Sequence, residues 1–159
     1  MLHERDYAAI GRFITDVASA ETVVGKLWWH QAFEAGSPLP ADRVQGAGMQ
    51  TKLKELRRLV PGGSRLAQQC AGLELGYSRV SVARHTLAHG FTSQAGLSPF
   101  ALNLKNDHQV LISELPLLMP WADYLCRLAI QAYGDATRGI YQAEPDMPPL
   151  APIVTAPID

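Results

Sequence analysis

The chain has 159 residues, 47% of them hydrophobic and 18% charged, with a formal net charge of −1. That length suits one domain with a core of its own, and the near-neutral charge excludes a protein that coats nucleic acid by bulk electrostatics. No apolar run approaches the about 20 residues that span a bilayer, so no membrane partner is expected.

In chain order, Met1-Leu2-His3-Glu4-Arg5-Asp6 lacks a basic stretch followed by an apolar one, which predicts a cytoplasmic location. Residues 7–30 read as the first helix. Tyr7, Ile10, Phe13, Ile14, Val17, Ala20, Val24, Leu27 and Trp28 share one face at about 100° per residue. Glu21 falls inside that apolar sector and needs a donor: a tyrosine hydroxyl, a backbone amide or an arginine, with Arg84 as the sharpest candidate. The Gly/Pro-rich residues 36–48 predict a loop. A second helix follows over 49–60, with Met49, Leu53, Leu56 and Val60 as its core stripe. Lys52, Lys54, Arg57 and Arg58 fall on its outer face, as a solvated surface or a local phosphate-tracking patch.

Ser64 is placed to cap the next segment, where Leu66, Cys70 and Leu73 continue an apolar face. Gly72 and Gly76 lower helix propensity by about 1 kcal/mol each, which predicts a break near residues 76–78 and a fresh start capped by Ser78. Beyond residue 90, two short strands at 100–104 and 109–112 flank residues 105–108 as a small hairpin. The last helix is expected from Ser113 to about Tyr133, buried through Leu117, Leu118, Trp121, Tyr124, Leu125, Leu128, Ala129 and Ala132. Pro120 should kink it or mark its start, and Gly134 should end it. Residues 143–159 carry prolines at 145, 148, 149, 152 and 157 and read as an extended tail on a helical domain of residues 1–142. The fold class is therefore all-α, an antiparallel bundle of about four to five helices. Cys70 and Cys126 lie far apart, with no metal-type spacing, and read as small core residues.

The most informative stretch is Arg84-His85-Thr86-Leu87-Ala88-His89-Gly90. Val80, Ala83 and Leu87 form a helical seam, Gly90 is suited to ending the helix, and beside the seam stand an arginine and two histidines. A guanidinium offers phosphate a planar fork of donors, and imidazole exchanges a proton near neutrality, which together suit phosphodiester chemistry. His85 and His89, four apart, could also ligate a metal, but the zinc-protease pattern needs Glu where Thr86 stands.

That stretch resembles the R-polar-x-x-A-H-G signature of the HEPN superfamily, small helical proteins known as metal-independent endoribonucleases, toxins and their inactive relatives. Where the family most often has Asn after the arginine, this chain has His85. The resemblance implies His89 as general base on a ribose 2′-hydroxyl, Arg84 on the scissile phosphate, and His85 or Thr86 as a supporting donor. An acidic residue on the first helix, here Glu21, would hold the arginine. The products would carry 2′,3′-cyclic phosphate and 5′-hydroxyl ends, with no metal or other cofactor. Residues five apart on a helix diverge by about 140°, so a homodimer with facing motif helices is expected. RNA is the expected partner, an antitoxin a further one, and toxin–antitoxin or phage-defence roles follow from the same resemblance. The other reading is a non-catalytic interaction module in which Arg84 and His89 serve as interface or capping groups.

Overall fold

The computed structural model describes the backbone of residues 2–89, 91–95, 98–103, 108–150 and 156–157, and the side chains of residues 2–88 and 112–150. It is an all-α bundle with a small sheet inserted before the last helix. In order come α1 (Glu4–Glu34), α2 (Ala41–Gly46), α3 (Met49–Leu59), α4 (Arg65–His89), β1 (Phe91–Ala95), β2 (Ser98–Asn103), β3 (His108–Leu111), a 3₁₀ turn (Ile112–Glu114), α5 (Leu115–Arg138) and β4 (Ala156–Pro157).

α1 starts where the His3 backbone N–H donates to the Asp6 carboxylate at 2.8 Å, and it ends where Gly36 takes φ 76°. Phe13, Val17, Ala20, Val24 and Leu27 are fully buried along one stripe, as the periodicity predicts. Tyr7, expected on that stripe, is 57% exposed, whereas Ile10 and Phe13, one and two turns on, are buried. α1 packs chiefly on α5 and also on α3, while α4 lies on α5. The expected loop at 36–48 contains α2, a six-residue helix started by Pro40 and anchored by a single buried residue, Val44.

The expected break in α4 is absent: the helix runs unbroken from Arg65 through Gly76 to His89. Its two glycines make room instead of turns. A Cβ at Gly72 would lie 2.7 Å from Leu128 Cδ2 and 2.9 Å from Tyr124 Oη, and one at Gly76 would lie 3.3 Å from Leu125 Cδ1. α4 and α5 thus approach closely, and the packing gained outweighs the propensity lost. Ser64 does cap α4, its Oγ accepting from the Ala67 N–H at 3.2 Å; Ser78 lies mid-helix and donates to Leu75 O at 2.6 Å.

The predicted hairpin is present as β2 and β3, paired antiparallel with Phe100 opposite Leu111 and Asn103 opposite His108. Residues 104–107 lie outside the described residues. β1, not foreseen, pairs with β2, and β4 pairs with β3, so part of the expected tail joins the sheet in the order β1-β2-β3-β4. α5 begins upstream of Pro120, which sits exposed inside it. It passes through Gly134 and ends at Gly139, φ 64°, whose N–H bonds Asp135 O at 3.1 Å. Leu117, expected in the core, is 47% exposed, because the buried stripe of α5 runs through Leu115, Leu118 and Trp121 instead. Arg79 of α4 lies 5.1 Å above the Trp121 ring. Cys70 is buried and Cys126 half-buried, both with free thiols.

Candidate functional site

Near its C-terminal half α4 turns one side toward α1 and an adjoining side toward α3. The face toward α1 carries Arg84. Its Nη2 lies 3.8 Å from Glu21 Oε2, while Lys52 Nζ from α3 lies 3.9 Å from Glu21 Oε1 and donates to the Glu21 carbonyl at 3.3 Å. One carboxylate therefore serves two cations. Lys52 is only 5% exposed, and it reaches that position because Gly25 leaves the space open: a Cβ there would stand 3.3 Å from Lys52 Cε. Arg84 Nε is buried and has no hydrogen-bond partner among the described residues. The cluster carries an excess positive charge and an unused donor in a partly desolvated place, where electrostatic interactions are stronger than in water. Tyr77, two turns before Arg84 on the same side of α4, reports that environment: burial, with the Glu21 carboxylate adding to it and Arg84 opposing, pushes its hydroxyl above the ordinary tyrosine value.

A second face of α4 forms one wall of a groove of about 900 Å³, open to solvent, with α3 as the other wall. Tyr77, Ser78, Ser81 and His85 line it from α4, and Lys54, Arg57 and Arg58 from α3. Arg57 pairs with Glu74 at 3.6 Å and donates to Ala67 O at 3.1 Å, and Arg58 pairs with Glu55 at 2.7 Å. Lys54 is exposed and makes no ion pair among the described residues.

The structure thus brings Glu21 to Arg84, as the acidic residue in the apolar sector suggested, and gathers His85 with three of the four expected cations. Two positions need correction. Lys52 is not on the outer face of α3 but inside, as the second partner of Glu21, because its stem occupies the space that Gly25 leaves open. Thr86 is 1% exposed, on the core side of α4, and is closed to a substrate. His89 ends α4 one turn beyond His85; its side chain and Gly90 lie outside the described residues.

Sequence reasoning missed two features. Tyr77 falls in the expected turn at residues 76–78 and enters the groove because α4 continues through it. The other is a polar cluster at the far end of α4, where Arg65 Nε and Gln69 Nε2 donate to Asp135 Oδ2 at 3.0 and 2.7 Å. Arg65 and Gln131 also donate to Gln142 O, at 2.5 and 2.7 Å, and the Arg65 guanidinium lies 5.6 Å from the Tyr141 ring centre. These contacts tie the start of α4 to the end of α5 and the chain beyond it; partners 66 and 70 residues apart leave no spacing signal. Among the described residues no group of three or more His, Cys, Asp or Glu is placed to hold a metal ion, and no helix is long and apolar enough to cross a membrane. No protein-family model matches the sequence, and no curated protein or solved structure matches it either.

Proposed function

We propose that the chain is a metal-independent endoribonuclease of HEPN type. The observation that carries this reading is Arg84: a guanidinium held by Glu21, with a buried, unpartnered Nε, in a cluster whose charge calls for an anion. In this reading His89 takes the proton of a ribose 2′-hydroxyl, the 2′-oxygen attacks the adjacent phosphorus, and the P–O5′ bond breaks. A 2′,3′-cyclic phosphate and, after proton uptake, a 5′-hydroxyl result. Arg84 binds the non-bridging oxygens and stabilises the charge that grows on them. Because α4 is a continuous helix, residues 84 and 89 diverge by about 140°, and the site is completed by a second copy across a two-fold axis near residues 84–89. A cytoplasmic toxin or phage-defence role, restrained by an antitoxin, belongs to the same proposal.

A second reading rests on the same ion pair, since an arginine bound to a carboxylate inside a bundle also serves as structural cement; in it the chain is a non-catalytic dimeric interaction module. The test is incubation of purified protein with total RNA and tRNA in EDTA, comparing wild type with Arg84→Ala and His89→Ala and analysing product ends. The ribonuclease reading expects cyclic phosphates, lost in both variants while the dimer persists. No cleavage of any RNA, or equal cleavage by the variants, sinks it and leaves the module.

A further inference from the structure

The groove between α3 and α4 starts on the Arg84 side of α4, where Tyr77 stands two turns before Arg84, and extends about 100° round the helix to Ser78 and His85, so a single phosphate at the cluster does not account for it. Its α3 wall carries Lys54, Arg57 and Arg58; Arg57 pairs with Glu74 and Arg58 with Glu55, and Lys54 leaves the groove with a local excess of one positive charge in a chain whose net charge is −1. The α4 wall is of another kind: the half-buried Tyr77 ring, the hydroxyls of Ser78 and Ser81, and the His85 imidazole. A cationic wall facing an aromatic and hydroxyl wall suits a ligand with phosphates along one edge and flat, hydrogen-bonding faces along the other. The volume, about 900 Å³, lies near the upper end of the about 300–1,000 Å³ of small-molecule sites and has room for a short stretch of strand. His85 stands at the end of the groove nearest His89, about 6 Å along the helix axis, so a strand in the groove leads to the motif end of α4.

We propose that this groove binds single-stranded RNA beside the scissile phosphate and so selects unpaired substrate. The placement of the cleaved bond rests on the ribonuclease reading; the binding itself does not. Base-paired RNA presents its phosphates but hides the base faces that Tyr77 would meet, and an acidic peptide would use the α3 wall alone.

The test is fluorescence anisotropy with a labelled 2′-O-methyl decamer, which lacks the 2′-hydroxyl nucleophile and cannot be cleaved by the proposed chemistry. It is compared with its duplex and with a poly-glutamate peptide at several salt concentrations. Lys54 and Arg58 are exposed, so the Lys54→Glu/Arg58→Glu variant should fold, which thermal unfolding checks. Expected are binding of the single strand at least tenfold tighter than the duplex or peptide, and a tenfold or greater loss in the variant. If both cations contact phosphates, the salt slope also falls by about 1.4, from about 0.7 per contact on a single strand. Equal binding by the variant, or equal binding of the duplex or peptide, overturns the proposal. Retained binding without cleavage refutes only the ribonuclease reading. Cleavage lost in Arg84→Ala but unaffected by Lys54→Glu/Arg58→Glu refutes only the groove.

Discussion

Glu21 holds two cations at once, and that arrangement makes a quantitative prediction. Replacing it by Gln keeps the shape but removes the charge, leaving Lys52, 5% exposed, with the Glu21 carbonyl at 3.3 Å as its one hydrogen-bond partner among the described residues. Breaking a buried pair so that one ion stays uncompensated costs about 3–5 kcal/mol, and since the Glu21 side chain keeps 21% exposure, Glu21→Gln should sit at the low end, about 3 kcal/mol. Lys52→Met removes the buried cation itself, fills its stem space and leaves Glu21 its Arg84 partner; its cost should be about 1 kcal/mol. If the two acted independently the double variant would lose about 4 kcal/mol, but without Lys52 the Gln costs less, and about 2 kcal/mol with a coupling of about 2 is expected. Urea unfolding at pH 7 measures the cycle, and the single Glu21→Gln change should lower Tm by about 6–12 °C in a chain of this size. Additivity to within about 0.5 kcal/mol, or a Glu21→Gln change no worse than Lys52→Met, refutes the shared-carboxylate account.

Glycines in two helices should respond with opposite signs. Gly72→Ala forces a Cβ against Leu128 and Tyr124 and should cost up to about 2 kcal/mol despite the helix propensity gained. Gly134→Ala meets nothing within 4 Å and should stabilise by up to about 1 kcal/mol; thermal unfolding of both decides. Alkaline pH should weaken the fold through Cys70, whose thiol burial pushes up from 9.0 to about 11, Glu74 adding to the rise and Arg57 opposing it. A raised folded value means the folded chain keeps the proton that the unfolded chain has released. The contribution is therefore whole below pH 9 and is lost as pH rises through about 11, by about 3 kcal/mol. A Cys70→Ala variant whose urea midpoint falls as steeply as wild type between pH 8 and 11 would refute this.

The long helices and their buried stripes are legible because one face repeats at helical spacing, and Glu21 stood out because a carboxylate interrupted it. What escaped has physical causes. Gly72 and Gly76 carry the same local cost whether they end a helix or admit a neighbour, and only Leu125, Leu128 and Tyr124 of α5 decide which. Lys52 sits three residues after Met49 and four before Leu56, a position that spacing assigns to the seam; its charge argued for the surface, and the space over Gly25 together with Glu21 outweighed that argument. β1 has the polar centre Thr92-Ser93-Gln94 and gains strand character from its pairing with β2. Asp135 falls just past the helix end expected at Tyr133 and Gly134, and its partners Arg65 and Gln69 stand 70 and 66 residues away, beyond any local spacing.

The continuity of α4 ties these parts together. At its first turns Arg65 and Gln69 hold Asp135, two turns on Gly72 and Gly76 let it press against α5, and only then does it offer Tyr77 and His85 to the groove and Arg84 to Glu21. A break at Gly76 would have left the motif segment to find its own orientation. An unbroken helix passes the orientation set by packing at one end to the charged residues at the other, with a rise of about 1.5 Å and a turn of about 100° per residue. Arg84 and the groove then stay at a fixed angle about the helix axis. A phosphate at Arg84 and a strand along Ser78 and His85 are then met by one ligand that turns about 100° round α4 past Tyr77, or by two copies that each supply one of the faces.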